Sequence, residues 1–235
     1  MWVHGGGRIM GHPKMDVAKL TSRLVQCTGL PVLSVDYRTA PQHVFPAALD
    51  DCIEAYEWLC QQDNVDRIIV AGESAGAGLV AELCQRLYDE SNEKESSLPL
   101  PVAQVLCYPM LDDQKTQRKH LLWNNKGNRI GWEAYLGADL SPGDEKLPKF
   151  AAAARRKDLS GLPPAWILAC SLDLFYDEDM EYAKRLQDAG VETEVMELQG
   201  GFHGILTWGT TEKPIVRIYD EMANFISRYA EASNE

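Results

Sequence analysis

The sequence predicts an α/β protein, a mostly parallel sheet with helices on both faces, and three observations predict it. Short, nearly unbroken apolar runs recur at Val32–Val35, Ile68–Ala71, Val102–Cys107 and Ala165–Cys170, as in strands covered on both sides. Between them, apolar residues recur every three or four positions, as on one face of a helix. At 68–76 the chain reads I-I-V-A-G-E-S-A-G and runs straight into the stripe Leu79, Val80, Leu83, Cys84, Leu87. That order is strand, sharp turn, helix.

Length and charge bound the rest. With 235 residues, 45% of them hydrophobic, the chain is long enough for one buried core, so 1–235 is expected to be a single domain. Lys plus Arg is 23 against 35 Asp plus Glu, a formal charge of -12, which disfavours nucleic acid or an anionic membrane as partner. No run of about eighteen apolar residues suggests a transmembrane segment, and Met1 to Arg8 lacks the basic-then-apolar order of a signal peptide. The cysteines at 27, 52, 60, 84, 107 and 170 read as small buried apolar residues, not as a disulfide framework or metal site. A reducing, cytoplasmic location is therefore expected.

In chain order, Met1–Val3 is the end of a strand leading to His4-Gly5-Gly6-Gly7. So little strand precedes the loop that more sequence is expected upstream. Asp16 is placed to cap a helix with Val17, Leu20, Leu24 and Cys27 inward, and Gly29 ends it. A strand at Val32–Val35 follows, then the loop Asp36–Pro41 and a helix opened by Pro46 with Ala48, Cys52, Ala55, Tyr56 and Leu59 inward. On the helix after the G-E-S-A-G turn, Glu82 and Arg86 are spaced as an exposed i,i+4 ion pair. Residues 111–150 show poor periodicity around Trp123, Trp132, Tyr135 and Leu136, and read as an irregular lid or pocket excursion. A helix over Asp177–Ala189, a strand over Val191–Leu198, the turn Gly200–Gly204 and a last helix from about Glu212, with Pro214 in its first turn, complete the chain.

Reactive groups in such a sheet gather at the carboxyl ends of the strands. Serine is a poor nucleophile without a base in hydrogen-bond reach and an acid to orient that base. Ser74 sits in the sharp turn, where Gly72 and Gly76 leave room for crowded backbone. Of five histidines only His203 follows the last strand, and Asp173 leaves a strand end directly, whereas its rival Asp177 is placed to begin a helix. The order Ser74, Asp173, His203 is that of a hydrolase triad. Backbone N–H groups of Gly5, Gly6, Gly7 and Ala75 could hold a developing oxyanion. No Gly-Lys-Ser or Gly-Lys-Thr follows the glycines, which argues against a phosphate loop.

These segments resemble the hormone-sensitive-lipase-like branch of the α/β-hydrolases. H-G-G-G at 4–7, D-Y-R-T-A-P-Q-H-V-F-P-A-A-L-D-D at 36–51, G-E-S-A-G at 72–76, L-S-G-L-P-P at 159–164, L-D-L-F-Y-D-E at 172–178 and H-G at 203–204 fall in family order. The resemblance implies Ser74 as nucleophile, Asp173 as acid, His203 as base, and Gly6, Gly7 and Ala75 as oxyanion donors with Gly5 completing the turn. It implies hydrolysis of carboxylic esters of short to medium acyl chain without a cofactor. Arg8, Leu174 and Ala77 depart from the family pattern, and Arg8 is expected to bear on the pocket wall. Family members carry a helical cap and further strands before H-G-G-G, which this sequence does not contain.

The expected function is thus a serine esterase acting through an acyl-enzyme, its partner a small-molecule ester and its assembly up to a homodimer. Two other readings stay open at this point: amide or formamide hydrolysis by the same groups, and a non-catalytic ligand-binding homologue like the plant gibberellin receptors.

Overall fold

The computed structural model describes residues 1–16, 20–93, 97–114, 116–120, 122–208 and 212–231. Six strands form one sheet in the order β2-β1-β3-β4-β5-β6: β1 Trp2–Val3, β2 Ser34–Val35, β3 Ile69–Glu73, β4 Ala103–Cys107, β5 Ala165–Cys170 and β6 Thr193–Leu198. Every neighbouring pair is parallel, with β3 and β4 in register from Ile69↔Ala103 to Glu73↔Cys107. All carboxyl ends therefore lie along one edge, and the loops after β1, β3, β5 and β6 open there.

The helices are α1 Pro13–Asp16, α2 Ser22–Thr28, α3 Ala47–Cys60, α4 Ala75–Asn92, α5 Asn125–Leu136, α6 Tyr176–Asp188, α7 Ile205–Trp208 and α8 Lys213–Ala230. Because successive strand residues face opposite ways, the apolar runs feed two cores. Val70, Leu106 and Ile167 pack with Leu49, Tyr56, Leu79, Leu83 and Leu186 of α3, α4 and α6. Ala71, Val105, Trp166 and Leu168 pack on the other face with Leu24 of α2 and Ile218, Met222 and Phe225 of α8. This is the doubly covered parallel sheet that the unbroken runs predict.

Several local expectations change. The strand expected over Val32–Val35 is only Ser34–Val35. Asp16 is buried at the end of α1 and accepts from Trp2 Nε1 at 2.9 Å, while the residues it is expected to cap begin outside the described residues. Val17 lies outside the described residues. Gly29 does end α2, at φ 70° with its N–H on Val25 O. Within 111–150 the chain forms α5, whose cap Asn124 accepts from the N–H groups of Lys126 and Gly127. All six cysteines are free thiols, but Cys27 is exposed and Cys60 half-buried, so the buried reading holds for Cys52, Cys84, Cys107 and Cys170.

Glu82 is the largest correction. It is fully buried and pairs with Arg8, not with Arg86. Arg86 instead meets Glu90 and Asp50. Among the described residues no helix is long and apolar enough to cross a membrane.

Candidate active site

Ser74 joins β3 to α4 at φ 52° and ψ -122°, a backbone state that costs a non-glycine residue free energy and is held by its surroundings. Its N–H donates to Cys107 O, and its carbonyl accepts from Gly78 N and Met110 N, so neighbouring β4 fixes the turn from both sides. The glycines admit the crossing. A Cβ on Gly76 would lie 2.2 Å from Val3 O and 2.3 Å from His4 O, and one on Gly72 would lie 2.7 Å from the Gly76 carbonyl carbon. First strand, elbow strand and elbow helix thus nest at backbone contact.

The Ser74 Oγ lies 2.8 Å from His203 Nε2, and His203 Nδ1 lies 2.8 Å from Asp173 Oδ2. With the buried carboxylate on Nδ1, that nitrogen carries the proton, and Ser74 donates to Nε2. Asp173 Oδ1 also accepts from Phe175 N at 3.2 Å, which anchors the carboxylate. The structure brings Asp173 to the imidazole and leaves Asp177 exposed in an ion pair with Arg118. Tyr108 and Phe175 meet the His203 ring edge-on at 5.2 and 5.1 Å, restricting its rotation.

The other histidines do not join this hydrogen-bonded row, although His120 lies close enough to Asp173 and His203 to feel their charges. His4 stacks on Tyr37 at 4.2 Å and contacts Gly5 O through Nδ1 at 2.7 Å. His12 faces Asp36 at 3.7 Å, and His43 is exposed. His120 accepts from Leu122 N, and burial pulls its pKa down.

Gly6 and Gly7, at φ 119° and 59°, shape the loop after β1. Gly6 O accepts from Ile9 N and Met10 N, closing the turn. Gly5 packs against the Glu73 carboxylate and backs directly onto Ser74, where an added Cβ would come within 3.1 Å of Glu73 Oε1 and 3.3 Å of the serine Cβ. Ala75 opens α4, so its N–H is among the helix donors without an intrahelical acceptor. Positive N-terminal helix charge thus lies beside the hydroxyl.

Four contributors join the site beyond those expected from sequence, Trp123 being expected only as an anchor of the 111–150 excursion. Glu73 sits beneath the glycine loop and accepts from Tyr108 O–H at 2.5 Å. Burial pushes its carboxyl up to about 7, and Asp16 adds to the rise, while Tyr108, His203 and Gly5 oppose it. Tyr37 O–H holds His4 O at 2.9 Å. Trp123 covers Gly7, where a Cβ would lie 2.2 Å from its ring, and faces His203 at 6.4 Å. Glu73 carries a signal that could have found it: a carboxylate inside G-x-S-x-G, one residue before the turn, has few routes to solvent.

Arg8 does not form an open pocket wall. Its side chain is fully buried, with Nη2 2.6 Å from Glu82 Oε1 and Nη1 3.0 Å from Oε2. Burial alone would lower the pKa of the guanidinium, but the facing Glu82 carboxylate more than offsets this and keeps it cationic. Burial likewise pushes Glu82 up to about 7 against the pull of Arg8.

This arrangement has relatives. Residues 1–207 match the family described as the alpha/beta hydrolase fold. A carboxylic ester hydrolase, LipN, of Mycobacterium tuberculosis is 34% identical over 220 residues, covering 88% of this chain and 56% of that protein. An ethyl acetate hydrolase of Pseudomonas putida is 29% identical over 89% of this chain and 66% of its own length. The chain thus spans about half to two thirds of these relatives. Among solved structures, the esterase LipW from Mycobacterium marinum superposes with a TM-score of 0.86 at 30% identity, over 98% of this chain and 72% of that one. A hormone-sensitive lipase from a metagenome library gives 0.85 at 28% identity, over 97% of this chain and 77% of that one.

Proposed function

Because the chain belongs to the α/β-hydrolase fold family, in its hormone-sensitive-lipase-like branch, we propose that it is a serine esterase cleaving carboxylic esters of short to medium acyl chain. The observation that carries the reading is the unbroken row from Ser74 Oγ through His203 to Asp173, with 2.8 Å at each step.

In this reading Ser74 Oγ attacks the ester carbonyl while His203 Nε2 takes its proton. Asp173 keeps Nδ1 protonated and stabilises the imidazolium as it forms. The carbonyl oxygen gains negative charge and is held by the N–H groups of Gly6, Gly7 and Ala75. His203 then returns the proton to the leaving alcohol, which departs as the carbonyl reforms and leaves an acyl group on Ser74. Water enters, loses a proton to His203 and attacks the acyl carbon. The acid departs as Ser74 recovers its proton.

Residues 111–150 supply the pocket wall in this proposal. Trp123 over Gly7 supports it, since its ring stands beside the loop that would hold the reacting carbonyl. The names of the relatives, carboxylic ester hydrolase and ethyl acetate hydrolase, support an ester as substrate.

The test is hydrolysis of p-nitrophenyl acetate by the purified protein and by Ser74→Ala. Turnover is expected to fall by about 10⁴-fold or more in the variant, and a fluorophosphonate should label Ser74 in the unaltered protein. Equal rates in the two proteins would overturn the reading.

A further inference from the structure

Arg8, next to the glycine loop, is held in a left-handed backbone conformation at φ 66° and is entirely buried. Its guanidinium lies 4.6 Å from the ring centre of Trp132 and 4.1 Å from that of Tyr135, both on α5. Its two terminal nitrogens meet the two carboxylate oxygens of Glu82 on α4. Tyr135 O–H reaches the same carboxylate at 3.4 Å, and the Arg8 carbonyl accepts from Ala40 N at 2.9 Å. The neighbouring glycines leave room for this: a Cβ on Gly78 would lie 2.9 Å from Arg8 Nη2, and one on Gly131 would lie 2.7 Å from Gly7 O.

A buried ion pair is a poor device for stability alone, since well-packed apolar side chains of the same volume do as well or better. What a forked arginine–carboxylate pair adds is geometry, because two parallel hydrogen bonds fix both distance and plane. The helix bearing Glu82 also bears Ala75 and begins at Ser74. The fork therefore ties the loop with Gly6 and Gly7 to the same rigid element as the hydroxyl.

Resting on the serine-esterase reading, we propose that Arg8 is a positioning residue. Its pair with Glu82 sets where the Gly6 and Gly7 amides lie relative to Ser74, and its stacking on Trp132 and Tyr135 couples that setting to α5. The consequence falls on the transition state. Displaced donors hold the oxyanion less well while ground-state binding changes little.

Three variants test this. Arg8→Lys keeps the charge and loses the fork; Glu82→Gln loses the charge and keeps an acceptor; Arg8→Met with Glu82→Leu removes both charges at similar volume. Turnover of p-nitrophenyl acetate per folded molecule, KM and the rate of Ser74 phosphonylation are measured for each. In Arg8→Lys and in the double variant, kcat is expected to fall tenfold or more and phosphonylation to slow in parallel, with KM within twofold. Glu82→Gln is expected to lie between these and the unaltered protein. Unaltered kcat and phosphonylation in either folded Arg8 variant would overturn the proposal. Failure of all three variants to fold would also overturn it, by making the pair a folding determinant. Lack of Ser74-dependent turnover in the unaltered protein sinks the esterase reading itself, whereas an active parent with unaffected variants sinks only the role of Arg8.

Discussion

Tyr108 donates its hydroxyl proton to Glu73 Oε2 across 2.5 Å, directly beneath the glycine loop and edge-on to His203. The same carboxylate packs against Gly5, so a single buried acid joins β3, the turn after β4 and the loop after β1.

That position makes Glu73 a source of pH-dependent stability. Its folded pKa is raised from 4.5 to about 7, so the folded protein binds more protons than the unfolded chain between those values. The contribution is complete below about pH 4.5 and is lost as pH rises to about 7, on the order of 3 kcal/mol in all. In urea unfolding at pH 5 and pH 8, Glu73→Gln should lose less stability across the interval than the unaltered protein. Parallel losses would refute the assignment.

Asp179, fully buried on α6, has no hydrogen-bond partner for either carboxylate oxygen among the described residues. Burial pushes its carboxyl well above the usual range, with Glu178 and Asp173 adding to the rise. Asp179→Ala should stabilise the protein at pH 8 by about 2 kcal/mol. The gain should shrink as pH falls toward 4, because the native carboxyl is then already neutral and the unfolded one becomes so. A lower melting temperature in the variant at pH 8 would show that the carboxylate has a favourable role.

Trp123 stands over Gly7 and faces His203, so it should limit the acyl chain. Trp123→Ala is expected to raise the ratio of kcat/KM for p-nitrophenyl octanoate over acetate about tenfold, within the range one extra contact supplies. An unchanged acyl-length profile would place the limiting wall elsewhere.

The glycine loop and the end of α2 offer a contrast. A Cβ on Gly6 would lie 1.9 Å from Met10 O, at φ 119°, whereas Gly29, at φ 70°, has open space around it. Gly6→Ala should cut turnover about 10²-fold or more through loss of the loop geometry. Gly29→Ala should cost about 1 kcal/mol of stability and leave kcat unchanged. Equal kcat in the two variants would contradict the placement of the oxyanion donors.

The elbow was legible in sequence because its constraint is local: one strained residue between glycines, preceded by β-branched residues and followed by a helical stripe. Asp173 could likewise be separated from Asp177 by its distance from the strand end. Glu82 was not legible, since its i,i+4 spacing to Arg86 describes a surface pair and its real partner is 74 residues away. Nor was α5, in which Gly127, Gly131, Asn125 and Asn128 weaken helix propensity. That helix is held instead by its Asn124 cap and by Trp132 and Tyr135 packed on a buried arginine, contacts that periodicity cannot reveal.

The nesting of Gly76 against the carbonyls of Val3 and His4 has a broader consequence. Where β1 meets the elbow helix, the distance is set by how main chains cross, whereas beyond Gly7 the loop leans through Arg8 on Trp132 and Tyr135. Evolution is then free to exchange those parts of the excursion that do not touch Arg8, and has to keep the rest in step with the glycines.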